Sequence, residues 1–99
     1  QESGVYNIII DPGFGFGKSI DDNFRILKEL ETLQSLKRPI IVGLSRKSMI
    51  YKTLNITAEE SLNGTTALNT FALEKGANIL RVHDAKEALQ CINLVDRLN

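Results

Sequence analysis

Net charge is the first thing this chain lacks. Twelve basic residues balance twelve acidic ones, so no electrostatic footprint for nucleic acid or an anionic membrane surface is expected. Long apolar runs are missing too. None approaches the ~20 residues of a membrane-spanning helix, and no signal-peptide pattern opens the chain. Cysteine is nearly absent. Cys91 stands alone and cannot form an internal disulfide. A lone thiol with no disulfide framework fits the cytoplasm, and its place in a helical pattern fits a small buried apolar side chain. With one histidine and one cysteine, far apart, no metal-ligand spacing exists. No nucleophile stands beside a base either: Ser45 and Ser48 have no partner base in sequence. The opening Gln1-Glu2-Ser3-Gly4 contains no methionine, as expected of a piece of a longer polypeptide. Ninety-nine residues, 42% apolar and 24% charged, amount to one globular domain at most.

What is present centres on Ile8-Ile9-Ile10-Asp11-Pro12-Gly13-Phe14-Gly15-Phe16-Gly17-Lys18-Ser19. An apolar run ends at a carboxylate, and three glycines then alternate with two phenylalanines. Glycine permits positive φ and close backbone approach to a ligand, and Phe14 or Phe16 could offer a flat apolar face. The loop fails the commoner fingerprints. A dinucleotide motif from Gly13 and Gly15 would need glycine where Lys18 stands. A phosphate loop ending at Gly17 would need glycine where Pro12 stands. A glycine-rich connector with no ligand is the plain alternative.

The rest of the chain repeats a strand-then-helix pattern. Residues 5–10 read as a strand, nearly continuous in apolar residues as when both faces are covered. Residues 23–37 read as a helix, with Asp21 and Asp22 at its start and Lys37-Arg38-Pro39 at its end. Residues 40–44 read as a second strand, followed by a short helical turn over 48–54. Thr57 and Glu60 have capping-box spacing before a helix whose face carries Gly64, Leu68, Phe71, Ala72 and Lys75. Gly64 and Ala67 are small enough for close approach to a sheet, and Gly76 reads as the C-terminal cap. Residues 77–82 read as a third strand, with Asp84 and Glu87 opening a last helix whose apolar face is Ala88, Leu89, Ile92, Val95 and Leu98. Strand starts 35 and 37 residues apart suit parallel strands joined by helical crossovers. An eightfold barrel allots roughly 31 residues per unit. Three parallel strands alone would leave raw edges. The expected fold is α/β: three consecutive βα units forming part of a TIM (β/α)8 barrel, over residues 1–99.

Each strand delivers polar chemistry at its C-terminal end: Asp11 from the first, Ser45, Arg46, Lys47 and Ser48 from the second, Arg81 and His83 from the third. In a parallel sheet these ends share one face, and in a barrel they converge on its mouth. Arginine and histidine suit a phosphate-like anion. An ionised carboxylate can accept two adjacent ring N–H donors. Each residue also has a plainer reading: His83 as a turn histidine, Arg81 paired with a helix carboxylate, Lys47 solvated, Arg46 as scaffold. Three endings in phase favour a shared site.

The motifs Asp11-Pro12-Gly13-Phe14-Gly15-Phe16-Gly17-Lys18, Gly43-Leu44-Ser45-Arg46-Lys47-Ser48 and Arg81-Val82-His83-Asp84, with Gly64-Thr65 between the last two, together resemble the C-terminal motifs of the dihydropteroate synthase family. The resemblance runs from about Asn7 to the end of the chain. It implies strands six to eight of a pterin-binding TIM barrel in a transferase of folate biosynthesis. That enzyme condenses 6-hydroxymethyl-7,8-dihydropterin pyrophosphate with para-aminobenzoate, giving 7,8-dihydropteroate and pyrophosphate. It further implies pterin binding by Asp11, Gly43, Lys47 and Arg81, and pyrophosphate binding by Arg81 and His83. Phe16, Ser45, Lys47 and Ser48 would border para-aminobenzoate, with Asp11, Lys47, Arg81 and His83 carrying catalysis. Magnesium is expected with the pyrophosphate, its ligand outside this chain, and the full-length enzyme is expected to be a homodimer. The first five βα units of the family are missing, so these residues alone are expected to be inactive. Two other readings stay open: a pterin-binding methyltransferase barrel, and a non-catalytic α/β fragment.

Overall fold

The computed structural model describes residues 9–15 and 17–99. Within them stand four helices and a short parallel sheet. They are α1 (Ile20–Lys28), β1 (Ile41–Val42), α2 (Ser48–Leu54), α3 (Leu62–Glu74), β2 (Ile79–Leu80) and α4 (Ala85–Leu98). Single 3₁₀ segments lie at Leu30–Leu36 and Ala58–Glu60. The expected first strand falls mostly outside the described residues, but Ile10 makes a parallel bridge to Ile40. Its N–H donates to the Pro39 carbonyl at 2.8 Å, and its carbonyl accepts from Ile41 at 2.9 Å. On the other side of β1, Ile41 pairs with Ile79 and Val42 with Leu80, in parallel. All three chain segments therefore run the same way, with the central one between its neighbours.

The central strand is the most buried. Ile40, Val42 and Leu44 join Phe14, Leu27, Leu30, Met49, Ile50, Ala72 and Ala77 in one core. Strand lengths are shorter than the apolar runs suggest, because β2 has a single partner among the described residues and its Ile79 stays 38% exposed. Phe14 is a core residue, 4% exposed. It anchors the glycine loop from below and offers no face to a ligand.

The helices differ from their sequence patterns in ways that have local causes. Helix α1 starts three residues early, because Ser19 is its cap and accepts from the Asp22 N–H at 3.0 Å. It ends at Lys28, nine residues short of the expected end. Beyond it the Thr32 and Ser35 hydroxyls donate to the carbonyls three residues back, a local alternative to the α-helical ladder. The capping box of Thr57 and Glu60 forms, yet it closes the 3₁₀ turn and not α3. Helix α3 and its preceding cap residue bury Ser61, Thr65, Asn69 and Ala72, spaced at four, four and three. Its expected face is thus rotated: Phe71 is exposed and carries the Lys75 ammonium 5.6 Å over its ring. Gly64 does meet a close neighbour, but that neighbour is α2 and not a sheet. A Cβ there would lie 2.6 Å from Ile50 Cγ2. Helix α4 buries Ala88, Cys91 and Val95 against α3, where Thr70 Oγ1 lies 3.7 Å from the Cys91 sulfur. Leu89 and Leu98, expected inside, are exposed.

Candidate functional site

Parallel pairing brings the three strand ends together. Past Ile10 the chain reaches Asp11. Past Val42 it reaches Gly43, Leu44 and Ser45, and past Leu80 it reaches Arg81, Val82 and His83. Gly43, Ser45, Lys47, Arg81, Val82 and His83 line one recess, and Asp11 closes its side through Arg81. The Arg81 guanidinium donates to Asp11 Oδ2 at 2.9 Å, across 70 residues of sequence. Gly43 lies close beneath this side chain: a Cβ there would stand 3.4 Å from Arg81 Nη1, in van der Waals contact.

Asp11 is ionised more firmly than an ordinary carboxylate. The Gly13 N–H donates to Oδ1 at 2.9 Å, and this is the main cause. Slight burial opposes it, and the Arg81 cation adds to the lowering. Lys47 is shifted the other way for a cation. Partial burial and the nearby Arg81 charge push its pKa down, while Asp11 partly restores it. Its ammonium donates to the Phe14 carbonyl at 3.0 Å, so the glycine loop and the second strand end are joined through this one side chain.

The second strand end makes a strained turn. Arg46 takes φ 57°, a left-handed conformation that costs a non-glycine residue on the order of 1–3 kcal/mol. Two contacts hold it. Its N–H donates to Thr65 Oγ1 at 3.1 Å, and its guanidinium reaches both Asp84 oxygens, at 2.9 and 3.4 Å. Asp84 stands at the start of α4, as expected, but its side chain serves Arg46 and makes no cap hydrogen bond on the helix. Arg46 is scaffold, and the turn it makes carries Lys47 toward Phe14.

Ser45 and His83 form a pair that their 38-residue separation conceals. Ser45 Oγ lies 2.8 Å from His83 Nδ1 and accepts the His83 backbone N–H at 3.2 Å. A serine nucleophile with a histidine base would look similar at first sight. Ser45 is only 7% exposed and is already committed to the backbone of the same histidine, so it is poorly placed to attack a ligand. Ser48 opens α2 and is half-buried. Phe16 lies outside the described residues. Asn23 is a contributor that the sequence reading missed. It is buried at 1% exposure, its Oδ1 accepts the Gly15 N–H at 2.7 Å, and its Nδ2 donates to the Ser19 carbonyl at 3.0 Å. A polar residue inside an amphipathic helix pattern gives little sign of such a role, because the loop that it grips is eight residues away.

A second concavity lies between α1, α2 and α3, lined by Phe24, Met49, Ile50, Leu54, Gly64 and Leu68. It offers no charged group and cannot bind an anion.

The strand-end recess combines a carboxylate, an ammonium, a guanidinium and an imidazole on one end of a parallel sheet. Chemically, such an arrangement can accept N–H donors at the carboxylate and an anionic group at the cations. The chain belongs to the family of pterin binding enzymes, whose model matches residues 1–83. It is 42% identical over 98 residues to dihydropteroate synthase of Escherichia coli K12, covering 97% of this chain and 35% of that protein. A Yersinia pestis dihydropteroate synthase solved with a pterine-sulfa conjugate superposes with a TM-score of 0.91 at 38% identity, over 94% of this chain and 37% of that one. The Clostridium difficile enzyme solved in the presence of pteroic acid gives 0.90 at 39% identity, over 94% and 35%. The chain thus spans about a third of the length of these relatives, as three consecutive βα units of a (β/α)8 barrel.

Proposed function

We propose that these residues supply one side of a dihydropteroate synthase site, in an enzyme that is homodimeric at full length. One observation carries the reading. Three strand ends, far apart in sequence, bring Asp11, Lys47, Arg81 and His83 to one recess, and two relatives were solved with a pterine-sulfa conjugate and in the presence of pteroic acid.

In the proposed reaction the amine nitrogen of para-aminobenzoate bonds to the methylene carbon of the pterin. The carbon–oxygen bond to pyrophosphate breaks, its electron pair leaves with pyrophosphate, and the amine gives up one proton to the released pyrophosphate or to water. Asp11 accepts the adjacent ring N–H donors and favours the positive charge that grows on the pterin as pyrophosphate departs. Arg81 and His83 hold the departing anion. To do so, Arg81 exchanges its Asp11 oxygen for phosphate oxygens, and Asp11 is freed for the ring. Lys47 stands between the two ends, while on the family pattern Ser48 and Phe16 border para-aminobenzoate. Rate enhancement comes from positioning and from fixed charges aimed at the leaving group.

The resemblance also implies magnesium. Among the described residues no three His, Cys, Asp or Glu side chains stand together, and the Asp11 oxygens are held by Gly13 and Arg81. These residues do not fit a magnesium cage, and no step here runs through the metal.

Calorimetry on the full chain tests the reading. Pyrophosphate and a hydroxymethyl pterin should each bind. Arg81→Ala should weaken pyrophosphate by roughly 10- to 150-fold, the effect of losing a charged hydrogen bond. No heat with either ligand would overturn it.

A further inference from the structure

We propose that Ser45 is a positioning residue for His83, a residue that lines the recess, fixing the neutral imidazole with its proton on Nε2, the ring nitrogen away from Ser45. Both contacts are on the structure. Ser45 Oγ accepts the His83 backbone N–H and lies 2.8 Å from Nδ1. A hydroxyl has one proton to give and two lone pairs. If Nδ1 carried the ring proton, Oγ would accept twice and its own proton would need another acceptor. No other partner of Ser45 Oγ stands among the described residues, and the residue is only 7% exposed. An orphaned buried polar group is disfavoured. The arrangement that satisfies every group has Ser45 donate to Nδ1, which leaves Nε2 as the N–H. The paired contacts also fix the ring against its own backbone, so the donor's direction is set before a ligand arrives.

This assigns Ser45 to the anion end of the site through His83, and not to the aminobenzoate end where the family pattern places it. The ligand part rests on the proposed function, whereas the tautomer does not. The test therefore has two arms on the full chain. Nitrogen-15 NMR of histidine-labelled protein, at a pH where the ring is neutral and with His83→Gln for assignment, should show His83 protonated at Nε2. Protonation at Nδ1 in the unsubstituted protein overturns the proposal without any variant. Ser45→Ala should give a tautomer mixture and weaken pyrophosphate about tenfold, as for one misdirected hydrogen bond to a charged group. Ser45→Thr should restore both, and KM for para-aminobenzoate should stay unchanged throughout. A rise in that KM with the tautomer and pyrophosphate affinity intact overturns the assignment. An Nε2 proton with no pyrophosphate binding in the unsubstituted protein upholds the tautomer and overturns the function.

Discussion

Lys47 keeps its charge at a cost to stability. Burial and the Arg81 cation lower its pKa, so the folded protein holds this proton less tightly than the unfolded chain does. Between the lowered value and the ordinary 10.5, the unfolded state binds more protons, and stability rises with pH. The penalty is fully present below the folded value. Lys47→Met removes this titration together with the bond to the Phe14 carbonyl, so the rise of the melting temperature with pH toward the ordinary lysine range should flatten, as thermal denaturation would show, and turnover of the full-length enzyme should be lost. Asp11 has the opposite sign. Its carboxyl is held below the ordinary range by Gly13 and Arg81, so its contribution is present above that range and fades as pH falls through the folded value. Asp11→Asn keeps an acceptor for Gly13 but loses the charge. Pterin affinity should fall roughly 10- to 150-fold, the worth of a charge-assisted hydrogen bond, and calorimetry with a pterin measures it. Asp11, Lys47, Arg81 and His83 were legible as candidates because each follows an apolar run. Their partners were not: the Arg81–Asp11 and Ser45–His83 contacts close over 70 and 38 residues, and no local pattern records them.

At the scale of elements, the glycine loop is held by a helix residue. Asn23 takes the Gly15 N–H and gives to the Ser19 carbonyl, while Phe14 is buried beneath. Asn23→Ala leaves the Gly15 N–H without its partner, at about 1–3 kcal/mol, while the Ser19 carbonyl keeps the Asn23 backbone N–H. The Gly15 amide should then lose hydrogen-exchange protection, and Lys47 should lose its Phe14 carbonyl. Unchanged protection at Gly15 would contradict this role. Helix α3 meets α2 at Gly64, where a Cβ would press on Ile50 and Leu54. Gly64→Ala should destabilise through overpacking worth about 1–3 kcal/mol, partly offset by up to about 1 kcal/mol of helix propensity. Urea denaturation should show the net loss. Existence and order of the helices were readable from periodicity. Their ends and faces were not, because Ser19, Thr32 and Ser35 chose local hydroxyl bonds, and because α3 turned a polar stripe inward to meet Arg46 through Thr65.

At the scale of the whole molecule, apolar surface is left uncovered. Ile9, Ile79, Leu89, Leu94 and Leu98 are all exposed, Leu98 at 78%, and β2 has one strand partner among the described residues. Open edges and apolar faces favour association. The 99 residues by themselves are expected to sediment as concentration-dependent oligomers and to turn over substrate at background rate, since a site walled on one side cannot exclude water. A clean monomer at high concentration, or turnover near that of a complete relative, would count against this.

The sequence by itself determined the α/β class, the repeating unit and the polar ends of its strands, because these follow from local apolar runs and their spacing. It also carried the family motifs. Only the tertiary structure decided which of those polar groups face each other, since pairing depends on strand register and helix rotation. Parallel alignment of Ile10, Ile40 and Ile79 put Asp11 under Arg81. The left-handed turn at Arg46, braced by Thr65 and Asp84, carried Lys47 to the loop and left Ser45 beneath His83.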